Sequence, residues 1–465
     1  MPVLLQTDKL IFLLLAAVVA FALFARRREH LRAPWRQVGR SSIAMASLVV
    51  LGVYLSVGLL DSMHYRPSLP ASEQGEAGGY STEVLSVFDL LVTHLREMEE
   101  KTYSAPFAAH LFVKETVEAA DAAAERIYPR LVHGASHLEN PERDRGADIL
   151  ATGASAAFGG LVLWLGLSAL IVGLLARRRR CRLADVAAEI LRNDTEFRWR
   201  PVILMMGACV VLICIVMALS FDYHVLGTDK VGEDVLYQTL KSVRTGLVIG
   251  TLTTLVMLPF AILLGIMAGY FRGWIDDVIQ YLYTTLNSIP SVLLIAAAIL
   301  ILQVYLDDHA EDFTSVVERA DLRLLFLCLI LGFTSWTGLC RYLRAESLKL
   351  REVDYVQAAT ALGSTHFAIL GRHILPNVMH IVLITVVLDF SGLVLAEAVL
   401  SYVQIGVDPT MHSWGNMINS ARLEMAREPV VWWSLSAAFL FMFTLVLAAN
   451  LFSDTVRDAL DPRLR

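Results

Sequence analysis

Hydrophobic and polar positions fall into long blocks along this chain. Apolar runs extend from about Leu10 to Phe24, Ile43 to Leu60, Ala154 to Leu175, Pro201 to Leu219, Gly246 to Tyr270, Val278 to Val304, Leu322 to Cys340, Met379 to Leu400 and Val431 to Phe452. Each is long enough for a helix to cross about 30 Å of hydrocarbon, so the pattern predicts about nine transmembrane helices. One polar-flanked stretch between two such runs, Asp354 to Pro376, has a different rhythm. It predicts two short helices joined at a glycine. Asp354 suits an N-cap, Tyr355, Ala359 and Leu362 fall on one face, and Gly363 stands where a positive φ ends the first helix. Ser364 or Thr365 can cap a second helix from about His366 to Leu375, and Pro376 removes a backbone donor as the next apolar run begins. The expectation is a rigid amphipathic knuckle at the membrane surface.

Composition agrees: 56% of residues are hydrophobic and 18% charged, with a mean hydropathy of +0.57, which excludes an ordinary soluble domain. Basic residues then orient the spans. Arg26, Arg27, Arg28, Arg32, Arg36 and Arg40 lie between the first two, Arg177 to Arg180 and Arg182 follow the third, and Arg341, Arg344, Lys349, Arg351 and Arg372 surround the knuckle. All three clusters are cytoplasmic if the N-terminus is outside and the C-terminus inside. The first span has its positive charges after the apolar core, which favours an uncleaved anchor over a signal peptide.

The segment from Asp61 to Asp148 then lies outside, with 8 Lys and Arg against 16 Asp and Glu. Pro67 to Gly79 has linker composition. Val84, Leu85, Val87, Phe88, Leu91, Val92, Leu95 and Met98 recur at helical spacing, and Phe107 to Ile127 is Ala-rich and amphipathic, which predicts an outer helical hairpin. Its acidic faces, with Glu97, Glu99, Glu100, Glu115 and Glu118, leave narrow apolar stripes and favour an accessory dock over a brace for the bundle. His94, His110, His133 and His137 are too scattered for a metal site, and the five cysteines give neither a disulfide framework nor a zinc pattern.

Gln357-Ala358-Ala359, Gly363 and Leu375-Pro376 resemble the EAA loop of ATP-binding-cassette importer permeases, the loop that docks into the ATPase subunit. Gln357 stands where that motif has Glu, and His373 where it usually has Ile. From about Pro201 onward, further stretches are similar to the dipeptide, oligopeptide and nickel branch: Leu226-Gly227-Thr228-Asp229 through Val235, with Glu233 in place of a usual Arg; Ala268-Gly269-Tyr270-Phe271-Arg272-Gly273-Trp274-Ile275-Asp276; Ser413-Trp414-Gly415-Asn416-Met417; and Arg457 to Arg463. The first 200 residues resemble no named family.

The apolar runs and the charge pattern give an all-α polytopic membrane helix bundle with two spans in 1–60, the outer hairpin in 61–150 and a third added span with a basic linker in 151–200, and the resemblance implies an importer permease core of six helices in 201–465 carrying the coupling loop at 354–376. It implies as partners a second homologous permease subunit, two ATPase subunits and an extracytoplasmic solute-binding protein, in a bacterial inner membrane. The ATPase-docking residues would be Tyr355, Gln357, Ala358, Ala359, Leu362, Gly363, Phe367, Arg372 and Pro376. None of the six lysines follows a glycine, so the chain has no P-loop of its own. No catalytic residue, cofactor, metal or nucleic-acid partner is expected. Asp389 and Glu397, eight residues apart in one span, project within about 80° of each other and could line a polar path; Glu397 alone is carried by the resemblance. Pro259 and Pro290 fall inside spans and would bend them. An ATP-independent transporter would need inverted repeats, which are not visible, and a membrane receptor or assembly factor would leave the knuckle unexplained.

Overall fold

The computed structural model describes residues 1–26, 29–68, 80–117, 125–309, 311, 313 and 315–460. Arg27 and Arg28 of the first basic cluster, most of the expected linker, Glu118 and the tail residues Asp461 to Arg463 lie outside them. In chain order the elements are β1 (Pro2–Val3), α1 (Gln6–Arg26), α2 (Glu29–Gly39), α3 (Ser42–Asp61), β2 (His64–Tyr65), β3 (Leu85–Ser86), α4 (Val87–Leu91), α5 (Thr93–Glu97), β4 (Glu115–Val117), β5 (Glu125–Ile127), α6 (Pro141–Arg179) and α7 (Leu183–Arg192). Then follow α8 (Trp199–Leu219), α9 (Val235–Phe271), α10 (Trp274–Ser288), α11 (Ser291–Asp308), α12 (Val316–Arg351), α13 (Asp354–Ala361), α14 (His366–Ile369), a π-turn (Leu370–Ile374), α15 (Leu375–Tyr402), α16 (Trp414–Glu424) and α17 (Trp433–Leu460). Among the described residues, eight helices are long and apolar enough to cross a membrane; seven match expected spans, the eighth is α11 within the run from Val278 to Val304, and the first expected span lies in α1.

The long parallel pair α9 and α12 forms the centre. Asp234 starts α9 by accepting from the N–H groups of Leu236 and Tyr237 at 2.8 and 3.2 Å, and Ser315 starts α12 by accepting from Glu318. Their backbones approach at Gly265 and Gly269: a β-carbon there would stand 2.8 Å from the carbonyl oxygen of Cys340 and 2.6 Å from that of Arg344. Small residues four apart let two membrane helices pack closely where no hydrophobic force drives them together. The C-terminal halves of α9 and α12 and the start of α15 share one apolar cluster, which includes Met257, Leu343, Val356, Ile369 and Ile374.

Three expectations are corrected. The run from Val278 to Val304 is not one span: Pro290 cannot supply the N–H that would continue α10, so the chain breaks there and α11 starts afresh. By contrast α9 continues through Pro259. The outer segment is not a helical hairpin. Among the described residues between α3 and α6, helix is confined to α4 and α5, and the described ends of the stretch expected as a second helix pair instead as the two strands β4 and β5. Phe107 already has φ 57°, so the helical backbone is broken at its first residue.

Nor does the outer segment stand off from the bundle. Phe88, Val92 and Leu95 are buried with Tyr223 and Tyr237 of the permease part, and Tyr103 is buried with Trp414 and Trp433. The narrow apolar stripes read as fit only for each other are filled by the outer ends of α8, α9 and α17.

Candidate functional site

The knuckle begins where α12 stops. Asp354 is not the cap: Val353 takes that position without a side-chain bond, and Asp354 lies in the first turn, where its charge still favours the helix N-terminus. The buried face is Val356 and Ala359, one residue round from the expected Tyr355 and Leu362. Gly363 ends the helix at φ 79°, its N–H bonding to Thr360, and the next N–H, of Ser364, reaches Ala359. Thr365 then caps α14 by accepting from Ala368. Pro376 does not interrupt the chain: the wide π-turn carries α14 into α15, and the proline falls in the first turn of α15, where no donor is needed.

This unit is held from below and open above. Ile369 and Ile374 are fully buried, Tyr270 Oη lies 2.9 Å from His366 Nδ1, and Arg351 donates to the carbonyl of Tyr270 at 2.9 Å. Underneath, Arg344 grips Asp276 with two bonds of 2.6 and 2.7 Å, tying α12 to α10. On the other side Leu362 is 87% exposed and Phe367 84% exposed, with Gln357, Ala358, Gly363, Arg372 and Pro376 also at the surface. Tyr355 accepts from Asn377 at 3.0 Å and is half-exposed, while Ala359 faces inward. The structure thus gathers the expected docking residues on one knuckle, Ala359 being part of its seat.

The other expected pair is not gathered. Glu397 is buried, its carboxylate accepts from Ser401 at 2.7 Å, and a β-carbon at Gly415 would sit 2.7 Å from it. It packs beneath the Ser413-Trp414-Gly415 turn instead of opening on a cavity. Asp389, half-buried, lies two turns away on α15.

Two buried charge clusters were not foreseen. In the first, Lys241 Nζ contacts Asp61 at 2.7 Å and Asp89 at 3.0 Å, while Arg244 contacts Asp8 at 2.7 Å and Asp321 at 3.4 Å, and His64 joins Asp8 at 2.8 Å. Both cations belong to α9, and three of the four carboxylates come from the first 100 residues. The sequence signal was opposite charges at the edges of spans: Asp8 and Asp61 flank the first two runs, and Lys241 and Arg244 lie just before Gly246.

In the second cluster, between the α8–α9 loop and the segment after α5, His224 Nδ1 donates to Asp234 at 2.7 Å and His224 Nε2 lies 3.6 Å from Glu100. Glu100 also accepts from the backbone N–H groups of Val132, His133 and Gly134. Burial alone would raise the Glu100 carboxyl, but His224 and these donors hold it down at about 2. Burial would likewise lower His224, and the two carboxylates outweigh it, lifting the imidazole to about 9. Glu233, which stands where the resemblance has Arg, is raised to about 7 by burial and the nearby acids.

Helices crossing a membrane, packed around a central pair and ending in a seated surface knuckle, define a transport permease. The model of the family described as binding-protein-dependent transport system inner membrane component matches residues 261–465. A glutathione transport system permease protein of Pectobacterium atrosepticum is 31% identical over 244 residues, covering 52% of this chain and 73% of its own length. An oligopeptide transport system permease protein of Mycobacterium tuberculosis is 31% identical over 242 residues, covering 52% of this chain and 77% of its own. A solved structure of the MetNI methionine ABC transporter in inward-facing conformations aligns with 49% of this chain and 99% of that one, at 14% identity and a TM-score of 0.38. The chain belongs to the family of binding-protein-dependent transport system inner membrane components. It is a multi-pass inner-membrane permease.

Proposed function

We propose that this permease moves peptides, or a related small solute, inward, and that a separate ATPase pair drives it through the knuckle. The observation that carries this reading is the knuckle's construction: Val356, Ile369 and Ile374 seat it in the α9–α12–α15 cluster, while Leu362 and Phe367 project fully outward. Large apolar side chains held in that way suit a groove in a partner subunit. The docking set is Tyr355, Gln357, Ala358, Leu362, Gly363, Phe367, Arg372 and Pro376, with Ala359 as its base. A push on that set reaches the central helices through Arg351, Tyr270 and the Arg344–Asp276 pair. The two relatives' names, glutathione and oligopeptide transport, support a peptide-like solute, and a second permease and a binding protein complete the complex. Asp389 is the remaining candidate for a path-lining group.

Affinity purification of the chain from its native membrane tests this directly. An ATPase partner recovered with the unchanged chain and lost with Phe367→Asp supports the reading; equal recovery from both removes the knuckle from it. The N-terminus lies outside in this scheme and the C-terminus inside. In a chain stripped of its native cysteines, a cysteine at Glu139 should react with an impermeant thiol reagent added to intact cells, and one at Ser364 should not. Labelling at 364 would reverse the orientation.

A further inference from the structure

The helix α6 ends in four consecutive arginines, Arg177 to Arg180, and the chain up to Arg200 adds Arg182, Arg192, Arg198 and Arg200 with no lysine. Three of these eight have side-chain partners: Arg179 pairs with Glu189 at 2.9 Å, Arg198 donates to Ser42 at 2.8 Å, and Arg200 donates to the carbonyl of Leu191 at 3.5 Å; the backbone of Arg180 is the left-handed cap of α6. None of Arg177, Arg178, Arg180, Arg182 and Arg192 has an acidic side chain within ion-pair distance among the described residues, and all five are exposed. Like charges so close repel one another unless an anion from outside lies between them.

The position of the cluster says which anion. Leu170 and Leu174 of α6 are exposed toward lipid, and Arg177 follows one turn later, about 4.5 Å further along the axis. That is the step from acyl chain to headgroup. α7 then folds back, burying Val186 and Ile190 against Val172, Leu175, Trp199 and Ile203 at the end of the α6–α8 pair. Its remaining leucines, Leu183 and Leu191, are 59% and 71% exposed beside the arginines. A short helix with exposed leucines and arginines at the foot of a span has the make-up of an element lying in the interface.

We propose that residues 177–192 form a binding surface for anionic phospholipid headgroups, with the arginines holding phosphates in their two-pronged guanidinium geometry and Leu183 and Leu191 resting among the upper acyl carbons. It lies outside the part of the chain that the family model matches and does not depend on the solute or on the ATPase. Its role would be to fix the foot of the added α6–α8 pair in the bilayer while the central helices move.

Cys181, exposed in the middle of the cluster, supplies the probe position. A polar fluorophore is attached there in the full chain carrying Cys209→Ser and Cys214→Ser, reconstituted in phosphatidylcholine nanodiscs. Headgroup-labelled nitroxide phosphatidylglycerol should quench it about threefold or more over nitroxide phosphatidylcholine at equal mole fraction, the gap narrowing at about 0.5 M salt. Replacing Arg177, Arg178, Arg180 and Arg182 together by Gln should abolish the preference. Arg178→Gln with Arg182→Gln should roughly halve it, and serves where the fourfold variant inserts poorly. Equal quenching by the two lipids in the unchanged chain, or an undiminished preference in the Gln variants, overturns the proposal. So does loss of the preference on adding about 10 mM glycerol phosphate, which would place a soluble phosphate compound there instead of lipid.

Discussion

At Gly363 the backbone turns at φ 79°, yet no atom lies within 4 Å of the place a β-carbon would fill. Gly363→Leu therefore meets only the conformational cost of a left-handed residue, about 1–2 kcal/mol, and no clash inside the chain. The variant should insert and purify normally while losing coupled ATP hydrolysis and uptake, because the added bulk faces only a partner. Normal uptake would remove this turn from the docking surface. The buried trio of His224, Glu100 and Asp234 gives a pH dependence. His224 at about 9 is raised above the usual 6.5, so its contribution is complete below pH 6.5 and is lost as pH rises through 9. Glu100 at about 2 is depressed from 4.5, so its contribution is complete above pH 4.5 and is lost only as pH falls through 2. The outer clamp should be tightest between these limits. Hydrogen exchange at Val132 to Gly134, corrected for its intrinsic pH dependence, should accelerate near pH 9.5, and His224→Phe should bring that acceleration to pH 7.

Among elements, helices were the most legible and their junctions the least. Long apolar runs can do little but cross the bilayer as helices, so α3, α6, α8, α9, α12, α15 and α17 follow from periodicity and length alone. The α10–α11 break depended on whether Pro290 would end a helix, as Pro259 does not, and that is decided by neighbours the sequence does not show. The outer segment was misread because Val84 to Met98 carries helical spacing on a stretch too short and too closely packed to build one long helix. Its residues answer to the tops of α8, α9 and α17. Deleting 83–128 removes Asp89 from Lys241 and Glu100 from His224, leaving each buried cation one carboxylate instead of two, and uncovers the apolar ends of α8 and α9 that Phe88, Val92 and Leu95 bury. The yield of folded chain in a detergent-stability assay should fall sharply. Undiminished yield with reduced delivery would return the segment to the status of a dock.

For the molecule as a whole, the family model matches residues 261–465, while packing shows no break near the boundary expected at about residue 200: α3 lies against α8, α9 and α17. The resemblance covers the later part because the knuckle, Ser413-Trp414-Gly415 and the outer turn before α9 are short, local and held by backbone geometry. The knuckle's exposed residues were legible for that reason, and its seat in Val356 and Ile369 was not, since helical phase shifts by one residue with the cap. The ionic joint between the two parts was hidden because its paired members are far apart in the chain, Asp8 and Arg244 by 236 positions.

That joint bears on how the protein is made. Lys241 and Arg244 enter the membrane after Asp8, Asp61 and Asp89 have been synthesised, so the counter-ions are in place before the cations need them. Residues 199–465 produced alone should insert α9 poorly and be degraded. The same fragment made together with a separate 1–198 chain should recover, and should lose that rescue when the shorter chain carries Asp8→Asn with Asp61→Asn. The first half of the polypeptide would then act as an internal chaperone for the second, one that never leaves its client.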